Sequence, residues 1–250
     1  MNKVIIGIVA KYKDGDENEK RVDSRIRNEV KQAVFDNGGV AIGIITPNDK
    51  MQPAGDDWFE YLNLIDKENI VSQIKLCDGI ILQGGNANEV FEPFIAKYCY
   101  DNDIPCLGIC AGQNSIVRGL GGTTYKISNP EKHNRPNDEY VHSIHIDKSS
   151  IFYNIVKKEE IMVNSRHKRT VNESPSLDKV GFCEDGYSDV VEAKNKKFYI
   201  GVRFHPESLY KIDDNMNKIF EYFIETCRTY NKRGKWYEEN CRIQRYRRII

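Results

Sequence analysis

The sequence predicts an α/β fold in which helices flank a central, mostly parallel β-sheet, with an added β-rich C-terminal portion. Short apolar runs alternate with helix-like segments up to about residue 109, and strand-like pieces dominate after about residue 120. Alternation of buried strands and helices is typical of a parallel sheet covered on both faces.

The first βαβ unit lies at the N-terminus. VIIGIVA (4–10) reads as a buried strand, and VAIGII (40–45) reads as the next one. Between them, apolar residues over 26–34 recur at the spacing of one helix face, and Asn37-Gly38-Gly39 ends that helix.

The pattern repeats as far as Cys110. A helix-like segment leads to the strand DGIILQGG (78–85), a further helix spans about 88–101, and IPCLGI (104–109) is the fourth buried run. Ligands of such sheets bind outside the carboxyl ends of the strands, where Gly84, Gly85 and Cys110 fall.

The remaining chain supplies the β-rich portion. Its strand-like pieces are VHSIHI, EIMVN, KVGFCE, DVVEA and KFYIGVRF, and the last alternates best at period two and ends in HPES. An amphipathic helix follows over 216–227. We predict a single domain over 1–250, with its core at about 3–227 and a basic C-terminal extension at about 228–250.

Composition narrows the partners. Lys plus Arg and Asp plus Glu both number 37, so no global field favours nucleic acid or an anionic membrane, and a small-molecule partner is expected. The N-terminal apolar run is too short for a membrane span and lacks a cleavage site, which predicts a cytoplasmic protein. Seven cysteines without zinc spacing predict reduced thiols.

Cys110 is the candidate nucleophile. In GICAG, glycines flank it at minus two and plus two, as a sharp strand-to-helix turn requires. At a helix N-terminus, free N–H groups and the helix dipole favour the thiolate. The alternative is one more core cysteine, like Cys106.

His205 is the candidate base. It ends the alternating strand, and Pro206 favours an extended backbone there, so Glu207 at i+2 could lie beside the imidazole. The alternative is a strand-end histidine bonded to solvent. Backbone N–H groups of the LQGG glycines and of Ala111 are candidate donors to an oxyanion, although a Gly-Gly pair alone is only a turn.

These motifs together carry a resemblance. GICAGQN, FHPES and DGIILQGG resemble the class I glutamine amidotransferases and their hydrolase relatives. Four further features, GGTTYKI, His133, VNSRHKRTV and EDGYSDVVEA, are similar to the γ-glutamyl-γ-aminobutyrate hydrolase branch. The similarity extends over about 3–227.

The resemblance implies a flavodoxin-like three-layer sandwich and a set of site residues. It implies that Cys110 is the nucleophile, His205 the base and Glu207 the orienting acid. It implies oxyanion donors on the backbone of Gly85 and Ala111, and neither a metal nor another cofactor. The expected substrate contacts are Gly84, Gln113, Asn164, Ser165, Arg166 and His167. One departure is that Gln113 arrives one position early and Asn114 takes its usual place.

Two other signals are discounted. His142 and His145, with His133 nearby, are read as strand histidines on one face without a neighbouring cysteine or carboxylate cluster, so no metal site is predicted. The basic, aromatic C-terminal segment is read as a solvated or subunit-contacting helix rather than a nucleic-acid surface.

Three functions remain open. The leading one is a hydrolase that cleaves a γ-glutamyl amide or γ-glutamyl peptide bond through a cysteine thioester. The first alternative is a glutaminase subunit that supplies ammonia to a separate synthetase, and the second is a non-catalytic member that binds a γ-glutamyl ligand or a protein. The sequence also leaves a homodimer open.

Overall fold

The fold is taken from a computed structural model, which describes residues 3–13, 23–46, 62–85 and 90–247. Within those ranges, only the backbone is described for residues 12–13 and 231–247. Residues 47–61, in the segment between the second and third buried strands, therefore lie outside the described residues, as do residues 86–89 after the glycine pair.

Thirteen strands are formed by the described residues. They are β1 (Val4–Val9), β2 (Lys11–Lys13), β3 (Asp23–Arg25), β4 (Gly39–Ile44), β5 (Gly79–Leu82), β6 (Cys106–Ile109), β7 (Thr124–Lys126), β8 (His142–Ile146), β9 (Glu160–Val163), β10 (Arg169–Val171), β11 (Asp178–Cys183), β12 (Ser188–Glu192) and β13 (Tyr199–Val202). The helices are α1 (Asn28–Asp36), α2 (Leu64–Ile74), α3 (Phe91–Asp101), α4 (Ala111–Gly119), α5 (Pro130–His133), α6 (Ile151–Val156) and α7 (Asp214–Arg247).

A nine-stranded sheet organises these elements, in the order β4-β1-β5-β6-β13-β12-β11-β8-β9. The pairs from β4 to β13 are parallel, and the pairs from β13 to β9 are antiparallel. The predicted fold class is confirmed. The β-rich portion continues the central sheet in antiparallel pairing.

Two apolar clusters lie on the two faces of the sheet and make the three layers. One cluster joins the sheet to buried residues of α1, α6 and α7, and the other joins it to α2, α3 and α4. The predicted amphipathic segment at 216–227 lies within α7, which continues to Arg247. Among the described residues, no helix combines the length and apolarity needed to cross a bilayer.

The strand β13 lies within the segment predicted to alternate best at period two. All four of its residues are buried, because it lies between β6 and β12 with both faces covered. Ile200 and Val202 pack in one cluster and Tyr199 in the other. The period-two pattern thus separates two buried faces, and it places the end of β13 beside the end of β6.

Candidate active site

Cys110 lies at a strained corner between β6 and α4. Its backbone adopts φ 52° and ψ −101°, in the region that favours glycine. The flanking glycines permit the corner: a Cβ on Gly112 would lie 2.0 Å from the carbonyl oxygen of Leu82, and one on Gly108 would lie 2.7 Å from that of Gly112. Cys110 is partly exposed, whereas the other five cysteines with described side chains are buried.

His205 and Glu207 meet just beyond β13. The imidazole Nδ1 and the carboxylate Oε1 are 2.7 Å apart, and both residues are buried. Pro206–Ser208 forms a short 3-10 turn, so Glu207 reaches the ring from this turn. The sequence predicted an extended backbone up to Glu207. The structure has a tighter turn there, and this turn makes the same contact between Glu207 and the imidazole.

Asn164 fixes the backbone of His205. Its side-chain nitrogen donates to the His205 carbonyl at 2.9 Å, and its Oδ1 accepts from the His205 N–H at 2.7 Å. Asn164 follows β9, at the far edge of the sheet. The two bonds fix the backbone that carries the imidazole and thereby its position.

Cys110 and His205 are close enough that each shifts the pKa of the other. Burial works to raise the pKa of Cys110, but its interactions with His205 and the charge of Arg203 outweigh burial and lower that pKa. Burial also opposes a charged imidazole, yet Glu207 and Cys110 raise the pKa of His205 to about 10. Both directions favour a thiolate–imidazolium pair over a neutral thiol and a neutral imidazole.

The glycine pair after β5 lies beside Cys110 and His205. A Cβ on Gly84 would lie 2.8 Å from Cε1 of His205 and 3.4 Å from Cβ of Cys110. Gly85 adopts φ 143°, which side chains rarely tolerate. The buried amide of Gln83 anchors the corner, because it donates to Val9 O at 2.8 Å and accepts from Arg27 N at 2.9 Å.

A buried ion pair supports the same corner. Lys11 Nζ lies 2.5 Å from Glu92 Oε1, and Ser115 Oγ donates to Glu92 Oε2 at 2.7 Å. Gly85 packs on the Lys11 stem, since its Cβ position lies 3.3 Å from Lys11 Cγ. Sequence reasoning missed this pair, although Lys11 directly follows a buried strand.

Arg203 was also missed. It is 1 % exposed, and its Nη1 donates to the carbonyl oxygen of Cys110 at 3.3 Å. Its charge is one of the contributions that lower the Cys110 pKa. The signal was visible in YIGVRFHPES, where a cation interrupts a strand that is otherwise apolar.

The six residues predicted to bind substrate lie in different surroundings. Gly84 borders the Cys110–His205 pair. Gln113 is buried and donates to Gly201 O at 3.2 Å, and Asn164 is committed to His205. These contacts give Gln113 and Asn164 internal roles.

The other predicted substrate contacts lie in the segment after Asn164. Ser165 and His167 are buried and Arg166 is partly exposed. Burial is the main reason that the pKa of His167 falls to about 3, so its ring is neutral. Substrate contact by Ser165, Arg166 and His167 remains a prediction.

The histidines discounted as ligands are arranged differently from the prediction. His142 and His145 are three residues apart on β8 and therefore face opposite sides: His142 contacts Asp189, whereas His145 is exposed near Glu160. His133, at the end of α5, lies beside His142 with ring centroids 5.0 Å apart. Carboxylates and a cysteine do lie near His133 and His142.

Comparison with known proteins agrees with this architecture. Residues 87–207 match the family model described as Peptidase C26. A GMP synthase [glutamine-hydrolyzing] of Prochlorococcus marinus is 34% identical over 155 residues, covering 60% of this chain and 28% of the relative. A CTP synthase of Chlamydia muridarum is 26% identical over 181 residues, covering 59% of this chain and 33% of the relative.

The chain is thus similar to a part of each of these synthases, and its residues 87–207 are similar to the Peptidase C26 model. It aligns with about a third of the length of these curated relatives. The finer resemblance to the γ-glutamyl-γ-aminobutyrate hydrolase branch is not what these relatives show, because they are synthases.

Solved structures share the fold. A putative GMP synthase protein from Thermoplasma acidophilum superposes with a TM-score of 0.64 at 19% identity, covering 94% of this chain and 99% of that one. The glutaminase domain of Trypanosoma brucei CTPS, with bound acivicin, superposes with a TM-score of 0.61 at 18% identity, covering 91% and 94%.

Proposed function

We propose that the chain is a cysteine glutaminase that hydrolyses the γ-amide of glutamine and supplies the ammonia to a separate synthetase. One observation carries the proposal: Cys110, at the strained corner after β6, lies beside His205, whose Nδ1 contacts Glu207 beyond β13. Synthases described as glutamine-hydrolyzing, and a glutaminase domain, are among its relatives, which supports the ammonia-supplying form.

The reaction follows from the arrangement. The Cys110 thiolate attacks the amide carbon, and the oxyanion is received by backbone N–H groups of Gly85 and Ala111. Ala111 begins α4, so its N–H has no acceptor within the helix. The His205 imidazolium gives its proton to the departing nitrogen, and ammonia leaves a γ-glutamyl thioester.

Water completes the cycle. Neutral His205 takes a proton from a water molecule, which attacks the thioester carbon and releases glutamate. The Cys110 thiolate and the His205 imidazolium are thereby regenerated. Glu207 keeps the ring oriented through its contact with Nδ1 and stabilises the imidazolium.

A free-standing γ-glutamyl amide or peptide hydrolase is the second candidate. The match of residues 87–207 to Peptidase C26 favours it. It uses the same steps with a different leaving amine, so the two candidates differ in the amine side of the substrate and in dependence on a partner.

Glutamate release tests the proposal and separates the candidates. We expect the isolated chain to release glutamate from glutamine, and Cys110→Ser to reduce that rate by at least about 10³-fold, since removing a nucleophile has this order of effect. Cys106→Ala is the matched control, because Cys106 is buried in β6 four residues earlier. Equal rates for wild type and Cys110→Ser would refute the assignment.

Two further measurements define the substrate. A higher kcat/KM for γ-glutamyl peptides than for glutamine, in the chain alone, would favour the second candidate. A glutamine-mimicking chloroketone should alkylate Cys110 even if turnover needs a partner. Failure of the folded chain to react at Cys110 would contradict both candidates and leave a non-catalytic binding role.

A further inference from the structure

Two histidines and a cysteine outside the active site converge in one place. His133 ends α5, His142 begins β8 and Cys183 ends β11. One ligand atom from each lies within 4.8 Å of the other two. His133 and Cys183 are 2 % and 4 % exposed, and His142 is partly buried.

Carboxylates fix the outer nitrogens of both rings. His133 Nε2 lies 3.2 Å from Asp185 Oδ2, and His142 Nε2 lies 2.6 Å from Asp189 Oδ2. A carboxylate accepts, so each Nε2 is the donor, and in a neutral imidazole the other nitrogen, Nδ1, then carries the lone pair that can bind a cation. Both Nδ1 atoms are buried without a hydrogen-bond partner.

A ligand bound to both nitrogen atoms would satisfy them. A buried polar atom without a partner costs about 1–3 kcal/mol, and native proteins rarely leave two side by side. The arrangement in which a histidine holds a cation through one nitrogen and a carboxylate through the other is the usual one for protein-bound metals.

Cys183 lies at the end of β11, just before the hairpin to β12, and its side chain is buried near the two rings. Gly186, at φ 77°, turns the chain between Cys183 and β12. The thiolate is the form of cysteine that binds metals, so metal binding at this residue releases a proton.

We propose that His133 Nδ1, His142 Nδ1 and Cys183 Sγ bind one Zn²⁺ ion. Two imidazoles and a thiolate form a borderline-soft set that suits zinc, with a fourth tetrahedral position for water or an anion. That position opens on a cavity of about 230 Å³, which Lys132 and Arg135 also line.

Binding requires a small closure of the ligands. Tetrahedral zinc distances place the ligand atoms about 3.3–3.6 Å apart, so side-chain rotations must shorten separations of up to 4.8 Å by as much as about 1.5 Å. Once closed, the ion would tie α5 to β8 and to the β11–β12 hairpin. The site shares no ligand with Cys110, His205 or Glu207.

Zinc stoichiometry of the full chain tests the site. Chain stripped with chelator is dialysed against zinc and measured by elemental mass spectrometry, in a Cys110→Ser background that removes the partly exposed thiol of the active site. We expect Cys110→Ser to bind one more equivalent of zinc than the double variants that combine it with Cys183→Ala or with His133→Gln. His145→Gln is the matched control, because His145 lies on β8 and is exposed.

Two additional readouts keep the test decisive. Cobalt should give a sulfur-to-metal charge-transfer band that Cys183→Ser abolishes and His145→Gln retains, and Asp189→Asn should weaken binding about 10–100-fold. Zinc should also raise the unfolding midpoint of the control and leave that of His133→Gln unchanged. Equal zinc content in the control and both ligand variants, or a cobalt spectrum that Cys183→Ser leaves unaltered, would overturn the proposal.

Discussion

At the scale of single residues, the reactive properties of Cys110 come from its neighbours. Burial alone makes a thiolate less stable and would raise the pKa of this thiol, as it does for buried Cys77, whose pKa rises to about 12. His205 and Arg203 reverse the sign for Cys110. The same residue type therefore behaves as a core side chain at one position and as a nucleophile at another.

The pH dependence of Cys110 alkylation tests this balance. In the wild type we expect the rate to rise at a pH below the ordinary cysteine value of 9.0, because the pKa is lowered. In His205→Asn the charge is lost while burial remains, so the midpoint should move above 9.0. Iodoacetamide labelling of the Cys110 peptide, followed by mass spectrometry across pH, measures both midpoints.

The thiol and imidazole titrate as a pair, so each apparent midpoint belongs to both groups. Asp185→Asn, which leaves the pair untouched, should reproduce the wild-type profile. Identical midpoints in wild type and His205→Asn would show that His205 does not activate the thiol.

Gly84→Ala should damage the site without unfolding the chain. The added methyl would lie 2.8 Å from Cε1 of His205, so the ring must shift away from Cys110. Displacements of this order reduce rates about 10²-fold. We expect such a fall in kcat for glutamate release, with little change in the unfolding midpoint.

Gly43→Ala is the control for that substitution. Its methyl meets the flexible end of Ile26 at 3.1 Å, on the edge strand β4. A Gly84→Ala variant with wild-type kcat would mean that the corner is looser than its contacts indicate.

At the scale of elements, the helix α4 is held unusually close to the sheet at its start and to α3 at its end. Gly112 and Gly119 both lie where a side chain would strike backbone, at 2.0 Å from Leu82 O and 2.4 Å from Pro93 O. Gly112 adjoins the nucleophile corner, whereas Gly119 ends the helix against α3.

Alanine at these two positions should separate stability from catalysis. Both variants push α4 away from its neighbours and should lower the free energy of unfolding by about 1–3 kcal/mol. Gly112→Ala should in addition lose Cys110 alkylation and kcat well beyond Gly119→Ala. Urea unfolding and glutamate release measure the two effects; equal activity losses would show that α4 moves as one rigid piece.

A sequence motif can also stabilise a helix without taking part in the chemistry. Glu192, in the block DVVEA, accepts from the backbone N–H groups of Ile151 and Phe152 at 2.8 and 2.9 Å. It thereby caps the N-terminus of α6, and burial raises its pKa. The resemblance carried by this block thus includes a purely structural contact.

At the scale of the whole molecule, the sequence predicted what depends on local pattern. The sharp strand-to-helix turn at Cys110 and the contact of His205 with Glu207 could be inferred because each motif is short. The two hydrogen bonds of Asn164 to the His205 backbone and the His133–His142–Cys183 cluster could not be inferred in this way. Both depend on antiparallel pairing of strands far apart in sequence. Long-range register is the information that local periodicity lacks.

The packing of α7 on the sheet provides a prediction at this largest scale. Phe223 is fully buried, with its ring centroid 5.1 Å from that of Phe198. Phe223→Ala should therefore lower the free energy of unfolding by about 3–5 kcal/mol. Tyr222→Ala, on the same helix but 41 % exposed, should lower it by less than about 1 kcal/mol. Denaturant unfolding measures both losses.

The same variant tests whether α7 affects the nucleophile. Because α7 supplies none of the groups that set the Cys110 pKa, folded Phe223→Ala should keep the wild-type alkylation profile. A shifted profile in the folded variant would show that the core under α7 also positions the nucleophile.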